Sequence, residues 1–180
     1  MKHAEFIEWM EEHEACASGR ALVAVNAWDS QQTWDSFTRA DWLMWYATRQ
    51  IGDPGWPTRE QVVKTVCLCT ARALKYTPVE KTSASNAVQV TTDWADGKAS
   101  FSDVQIAVRT ARNEPASISL ASVALLHESA DPAKAHVAIR RAVNDAAQTA
   151  ADYQSEHLAM CAIIRAALTC PLPAEVGVIK

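Results

Sequence analysis

Thr82-Ser83-Ala84-Ser85-Asn86-Ala87-Val88-Gln89-Val90-Thr91-Thr92 is the stretch on which the fold class turns. From Ala87 onward it has poor helix propensity and reads as readily as a strand. A lone strand would have no partner elsewhere in the chain, and its backbone N–H and C=O groups would be left unsatisfied. The segment is therefore read as a helix held by packing, running to Trp94 and ended by Gly97. Five glycines and seven prolines among 180 residues are too few for the many turns of an all-β sandwich. The expected class is all-α: a single-domain bundle of about seven helices with a long C-terminal helix, Trp-rich in its N-terminal part and Ala-rich in its C-terminal part.

The flanking segments carry helix signals of their own. Thr58 and Gln61 have capping-box spacing. Behind them Val62, Val63, Val66, Thr70 and Ala73 make the apolar or small face of a helix that ends before Thr77-Pro78. From about Arg39 to Ile51, Trp42, Trp45, Tyr46 and Arg49 share a face, and Gly52-Asp53-Pro54-Gly55 stops the run. Asp29 and Gln32 open a short helix through Trp34. Phe6, Trp9, Met10, His13 and Ala17 form one stripe, which Gly19 is expected to end in a left-handed cap. On the C-terminal side, Ser102 and Gln105 are expected to open a helix through about Asn113, and Pro115 a further one through Glu128. Asp131 as N-cap and Pro132 at the first helical position start the last helix, expected to reach Leu168. Along it Ile139, Val143, Ala146, Ala150, Tyr153, His157, Met160, Ile164 and Ala167 alternate steps of four and three. Such a run would span roughly 55 Å, which predicts a kink or break within it. Trp9, Trp42, Trp45 and Ile164 are the expected core.

Composition narrows the function classes. Hydrophobic residues make up 49% and charged residues 21% of the chain, ordinary globular usage. With 17 basic against 21 acidic side chains and a net charge of −4, the electrostatic footprint of a duplex nucleic-acid binder is missing. Apolar runs are short and Glu5 and Glu8 sit where a signal peptide needs apolar residues, so a soluble, cytoplasmic protein with no membrane partner is expected. Five scattered cysteines, an odd number, suggest free thiols in a reducing compartment.

No Gly-Xaa-Ser-Xaa-Gly elbow, phosphate-cradling Gly-rich loop or His-Glu-Xaa-Xaa-His is present, and neither catalytic residue nor cofactor is expected. A helical enzyme with an unrecognised site stays an alternative, because helices can assemble such groups from separate segments. Cys67 and Cys69 point about 200° apart on a helix and read as two small buried residues. His13 with Cys16 and His157 with Cys161 would supply two nitrogens and two sulfurs to zinc if the first and last helices met. Both histidines lie in apolar stripes, however, where a hydrogen-bonded core histidine is commoner. Arg39-Ala40-Asp41-Trp42-Leu43-Met44-Trp45 is the densest segment. Its tryptophans are read first as core, with Asp41 paired to an arginine from another helix, and otherwise as a surface that anchors a partner or stacks a base. Arg72, Arg109, Arg112, Arg140 and Arg141 supply anion-binding capacity, with solvated surface charge as the plainer reading. Two arginines from the set Arg39, Arg72, Arg109 and Arg112, converging beside Trp42, Trp45 or Trp94, would make a pocket for a small anionic nucleotide. A homodimer along the alanine-rich helix would complete such a pocket between subunits.

Several motifs together resemble a known group. Glu14-Ala15-Cys16-Xaa-Xaa-Gly19, Trp34, Arg39-Ala40-Asp41-Trp42-Leu43-Met44-Trp45, Cys67-Xaa-Cys69-Xaa-Ala71-Arg72, Thr92-Asp93-Trp94-Ala95-Asp96-Gly97, Ile163-Ile164-Arg165 and Cys170-Pro171 look like a family of small alanine-rich helical proteins. That family occurs in phage and bacterial genomes and overlaps the immunity proteins of polymorphic toxin systems. It usually shows Asp-Trp-Leu-Leu-Trp-Leu where this chain has Asp41-Trp42-Leu43-Met44-Trp45-Tyr46, and the stretch from Ala116 to Leu126 departs further. The resemblance implies a non-catalytic inhibitor in phage–bacterium or interbacterial conflict, a toxin immunity or anti-defence protein that binds a toxin or a host defence protein. Sequestration of a small signalling nucleotide is the alternative.

Overall fold

The computed structural model describes residues 1–49, 51–76, 82–111, 147–148 and 152–171. Among the described residues the chain is all-α, with no strand: α1 (His3–Glu12), α2 (Ala17–Asn26), α3 (Ser30–Ser36), α4 (Ala40–Ala47), α5 (Arg59–Ala73), a 3-10 turn (Leu74–Tyr76), α6 (Thr82–Ala95), α7 (Phe101–Thr110) and α8 (Tyr153–Ala167). No described helix is long and apolar enough to cross a membrane.

The stretch that decides the class is helical, and tertiary contacts account for it. Ala84, Ala87, Thr91 and Ala95 are buried at helical spacing, where α6 lies between α5 and α7. The Thr91 and Thr92 hydroxyls donate to the carbonyls of Ala87 and Val88 at 2.7 and 2.8 Å, which satisfies two β-branched polar side chains inside the helix. Gly97 ends it with a φ of 74°. α5 is covered by α6 on one side and α8 on another, so Cys67 and Cys69 are both buried although they point apart.

The N-terminal helices enclose an aromatic cluster centred on Trp9. Its indole stacks on Phe6, His13 and Trp56 at centroid distances of 5.7, 4.3 and 5.6 Å, and meets Trp45 and Tyr46 obliquely at 5.8 and 5.5 Å. Trp9, Trp45 and Ile164 are core residues as expected. Trp42 is only half-buried, at the edge of the core against Phe37.

Two local expectations need correcting. The first stripe is broken: α1 ends at Glu12, Glu14 takes the left-handed conformation (φ 56°), and α2 begins at Ala17. Gly19 is thus an interior residue of α2, and a Cβ there would sit 3.4 Å from the Cys16 sulfur. The cap of α7 is Ser100 with Asp103, not Ser102 with Gln105; the Ser100 and Asp103 side chains bond each other's backbone N–H groups reciprocally. α8 starts afresh at an extended Asp152, whose carboxylate accepts from Ser155 N at 3.1 Å, so a break falls there. The long C-terminal helix expected from Asp131 is described only over this last part. Its opening at Asp131 and Pro132, the seam positions Ile139 to Ala146 and Ala150, and the helix expected from Pro115 to Glu128 lie outside the described residues. In α8 itself Met160 and Ile164 are fully buried, whereas Tyr153 and Ala167 face outward.

Candidate functional site

α8 is the element that brings distant polar groups together. A helix leaves its first N–H and last C=O groups without intrahelical partners. At the junction between α3 and α4 the side chains of α8 meet both kinds. Arg165 donates to Trp34 O at 2.9 and 2.7 Å and to Phe37 O at 2.6 Å, closing the C-terminal end of α3. His157 Nδ1 accepts from Ala40 N at 3.1 Å, closing the N-terminal end of α4.

Around that histidine lies a buried polar cluster. Asp41 is 5% exposed and takes a two-pronged ion pair from Arg39 at 3.0 and 2.8 Å. The arginine comes from the N-cap of the same helix, not from another helix as the sequence suggested. It also lies over Trp42, 4.7 Å from the ring centroid, and its pairing with Asp41 holds its pKa above the usual arginine value. Glu156, 2% exposed, accepts from Arg72 Nε of α5 at 2.7 Å. The Tyr153 ring stands perpendicular to the imidazole at 4.4 Å. Burial lowers the His157 pKa below its ordinary value of 6.5. Burial likewise pushes the Cys161 and Cys67 thiols up to about 11 and Cys69 to about 12. At neutral pH these sulfurs are protonated, so His157 and Cys161, although four residues apart, do not form a thiolate–imidazolium pair.

On the other side of Arg72 the surface opens. A cleft of about 420 Å³ between α5 and α8 is lined by Leu68, Ala71, Arg72, Lys75, Ile163, Ala166 and Ala167. Leu68 is 52% exposed, a large apolar side chain left uncovered on a well-formed helix. The floor is apolar, Arg72 and Lys75 supply positive charge, and the volume falls in the range of ligand-binding clefts.

The candidate residues are distributed as follows. Arg39, Asp41 and Trp42 form one contact group at the start of α4. Trp45, on the same helix, lies in the aromatic core, and both indoles border a small void beside Cys16 and Gly19. Arg72 belongs to the cleft, among whose described lining residues there is no aromatic ring. Trp94 packs against Phe101 at the joint of α6 and α7. Arg109 is exposed near the end of α7, and Arg112, Arg140 and Arg141 lie outside the described residues. His13 stacks on Trp9 and bonds its carbonyl, and its own carbonyl accepts from Arg49. Cys16 is exposed while Cys161 is buried, and no group of three or more His, Cys, Asp or Glu side chains among the described residues is placed to hold a metal.

Sequence reasoning missed Glu156, Arg165, Leu68 and Lys75. Leu68 and Arg72 on α5 and Lys75 in the 3-10 turn that follows it keep helical spacing and form a second stripe, distinct from the buried valine face of α5; the sequence shows that pattern. The partners of Glu156 and Arg165 lie 84 and 131 residues away, and no local signal announces them. Comparison of the chain with family models, with curated proteins and with solved structures gives no match in any of the three.

Proposed function

We propose that this protein acts by binding a partner protein, without chemistry of its own, and that the cleft between α5 and α8 is the centre of its binding face. The observation that carries the reading is Leu68, half-exposed beside an apolar floor and two cationic side chains. An uncovered apolar anchor ringed by polar groups is the usual make-up of an interface centre. Arg72 is already paired with Glu156, so Lys75 supplies the cation at the edge of the cleft, which favours a partner surface bearing carboxylates against the background of an acidic chain. The resemblance to immunity-type proteins supports a role in conflict, as a toxin immunity or anti-defence protein inside the cell. It gains nothing from the polar cluster at α4, where Asp41 and Glu156 are each tied to an arginine. The nucleotide alternative asks for two arginines beside an indole; Arg39 meets Trp42, whereas the described lining of the cleft that holds Arg72 carries no indole.

Photo-crosslinking tests this. p-Benzoylphenylalanine in place of Leu68, in cells that naturally carry the gene, should give one discrete protein adduct. The same group in place of Ile106 on α7, which is 61% exposed, should give none. Equal labelling from both positions, or an adduct only from Ile106, overturns the reading.

A further inference from the structure

His157 couples two facts that no binding role uses. Its Nδ1 accepts the otherwise unpaired first-turn N–H of α4, so in the neutral ring the proton must sit on Nε2. That Nε2 is buried and has no hydrogen-bond partner among the described residues. We propose that His157 is a pH-sensitive latch between α8 and α4: the neutral ring caps α4, and protonation in mildly acidic solution loosens the packing of α8 upon it.

The geometry makes the charged ring a misfit. A second proton has to go on Nδ1, where a donor would then face the Ala40 N–H, itself a donor. The new charge would also lie at the N-terminal, positive end of the α4 dipole, beside Arg39. Two carboxylates oppose this by attracting a cation, Asp41 from α4 and Glu156 from α8. Each is already bonded to an arginine, Arg39 and Arg72 respectively, which removes most of that attraction. Of the other groups packed there, burial raises the pKa values of the Cys161 thiol on α8 and the Cys69 thiol on α5, which stay uncharged, and Tyr153 presents its ring to the imidazole. Burial therefore decides, and it favours the uncharged ring.

Linkage then fixes the direction. The folded ring has a pKa below that of the unfolded chain, near 6.5, so the unfolded state binds the extra proton first. The latch contributes fully above pH 6.5. Its contribution falls as pH drops from there toward the folded pKa, by at most tenfold in the folding equilibrium constant per pH unit, and levels off below it.

The test is urea unfolding of the full chain from pH 8 to pH 5, for the wild type and for His157→Asn. The Asn side-chain oxygen can take the place of Nδ1 as acceptor and does not titrate. The wild type should lose stability below pH 6.5 more steeply than the variant, by up to tenfold per pH unit. Equal slopes in the two proteins overturn the proposal. Nitrogen NMR of the wild-type ring gives an answer even if the variant fails to fold. The expected result is an Nε2–H tautomer whose titration lies below 6.5, with loss of Ala40 amide protection as it charges; titration at or above 6.5 in the folded protein refutes the latch.

Discussion

Replacing Arg165 by Met keeps the apolar stem and removes the guanidinium that closes α3. Three hydrogen bonds disappear, two to Trp34 O and one to Phe37 O. Hydrogen bonds to charged groups contribute about 1.5–3 kcal/mol each, but these three share one half-buried group and are not independent. Trp34 O and Phe37 O would regain some water once the guanidinium is gone. A net loss of about 2–4 kcal/mol follows, equivalent to a fall of roughly 1–2 M in the urea midpoint at an m-value of about 2 kcal/mol/M. α3 has only seven residues, too short to stand without such a clamp. Arg165→Lys sharpens the comparison, because a single ammonium cannot reproduce the planar fork that reaches both carbonyls; it should recover about half of the loss. Urea unfolding followed by tryptophan fluorescence reports it, since Trp34 lies at the clamp. A loss below about 1 kcal/mol for Met, or full recovery by Lys, would refute the idea that α8 closes the α3–α4 junction through this fork.

The Arg72–Glu156 pair should respond asymmetrically: Arg72→Met removes a countercharge from a carboxylate that is 2% exposed and should cost about 2–5 kcal/mol, whereas Glu156→Gln leaves an arginine that reaches solvent and should cost about 1–2 kcal/mol; a larger loss for Glu156→Gln in chemical denaturation would contradict the burial of Glu156. Trp9→Ala should cost on the order of 3–5 kcal/mol, but Trp42→Ala, at the half-buried edge, about 1–2 kcal/mol, with thermal unfolding as the readout. Among the five cysteines, Cys16 is exposed and should react with a maleimide in the folded protein at pH 7.5, while Cys67, Cys69 and Cys161, buried and with raised pKa values, should react only after unfolding. Mass spectrometry of the labelled peptides distinguishes these outcomes.

The helices that the sequence announced are those whose signals are local. Asp29 with Gln32 and Thr58 with Gln61 form reciprocal caps at the expected positions, and Gly97 stops α6 as its backbone freedom requires. Where two local signals compete, the sequence is ambiguous. Ser100-Phe101-Ser102-Asp103-Val104-Gln105 holds two overlapping capping boxes; the one formed is Ser100 with Asp103, and Phe101 behind it packs on Trp94. The break between α1 and α2 was hidden because its left-handed residue is Glu14, not a glycine. Gly19, a few residues further on, looks like the cap but lies inside α2. The polar cluster was legible residue by residue and illegible as a cluster. Arg39, Asp41, His157 and Arg72 each stand out in the sequence by their chemistry. That His157 caps α4, and that Arg72 finds Glu156, depends on how α8 crosses α4 and α5, which periodicity does not encode.

The binding face is tested most directly by the affinity of the crosslinked partner, once purified, for the wild type and for Leu68→Gln, with Ile106→Gln as control. Leu68 is already half-exposed, so the substitution should leave helical content unchanged. Loss of an interface anchor worth about 2–3 kcal/mol should weaken Kd by roughly 30- to 150-fold for Leu68→Gln and leave Ile106→Gln within about twofold. An unchanged Kd for Leu68→Gln would place the partner elsewhere on the molecule and contradict the assignment of the α5–α8 cleft.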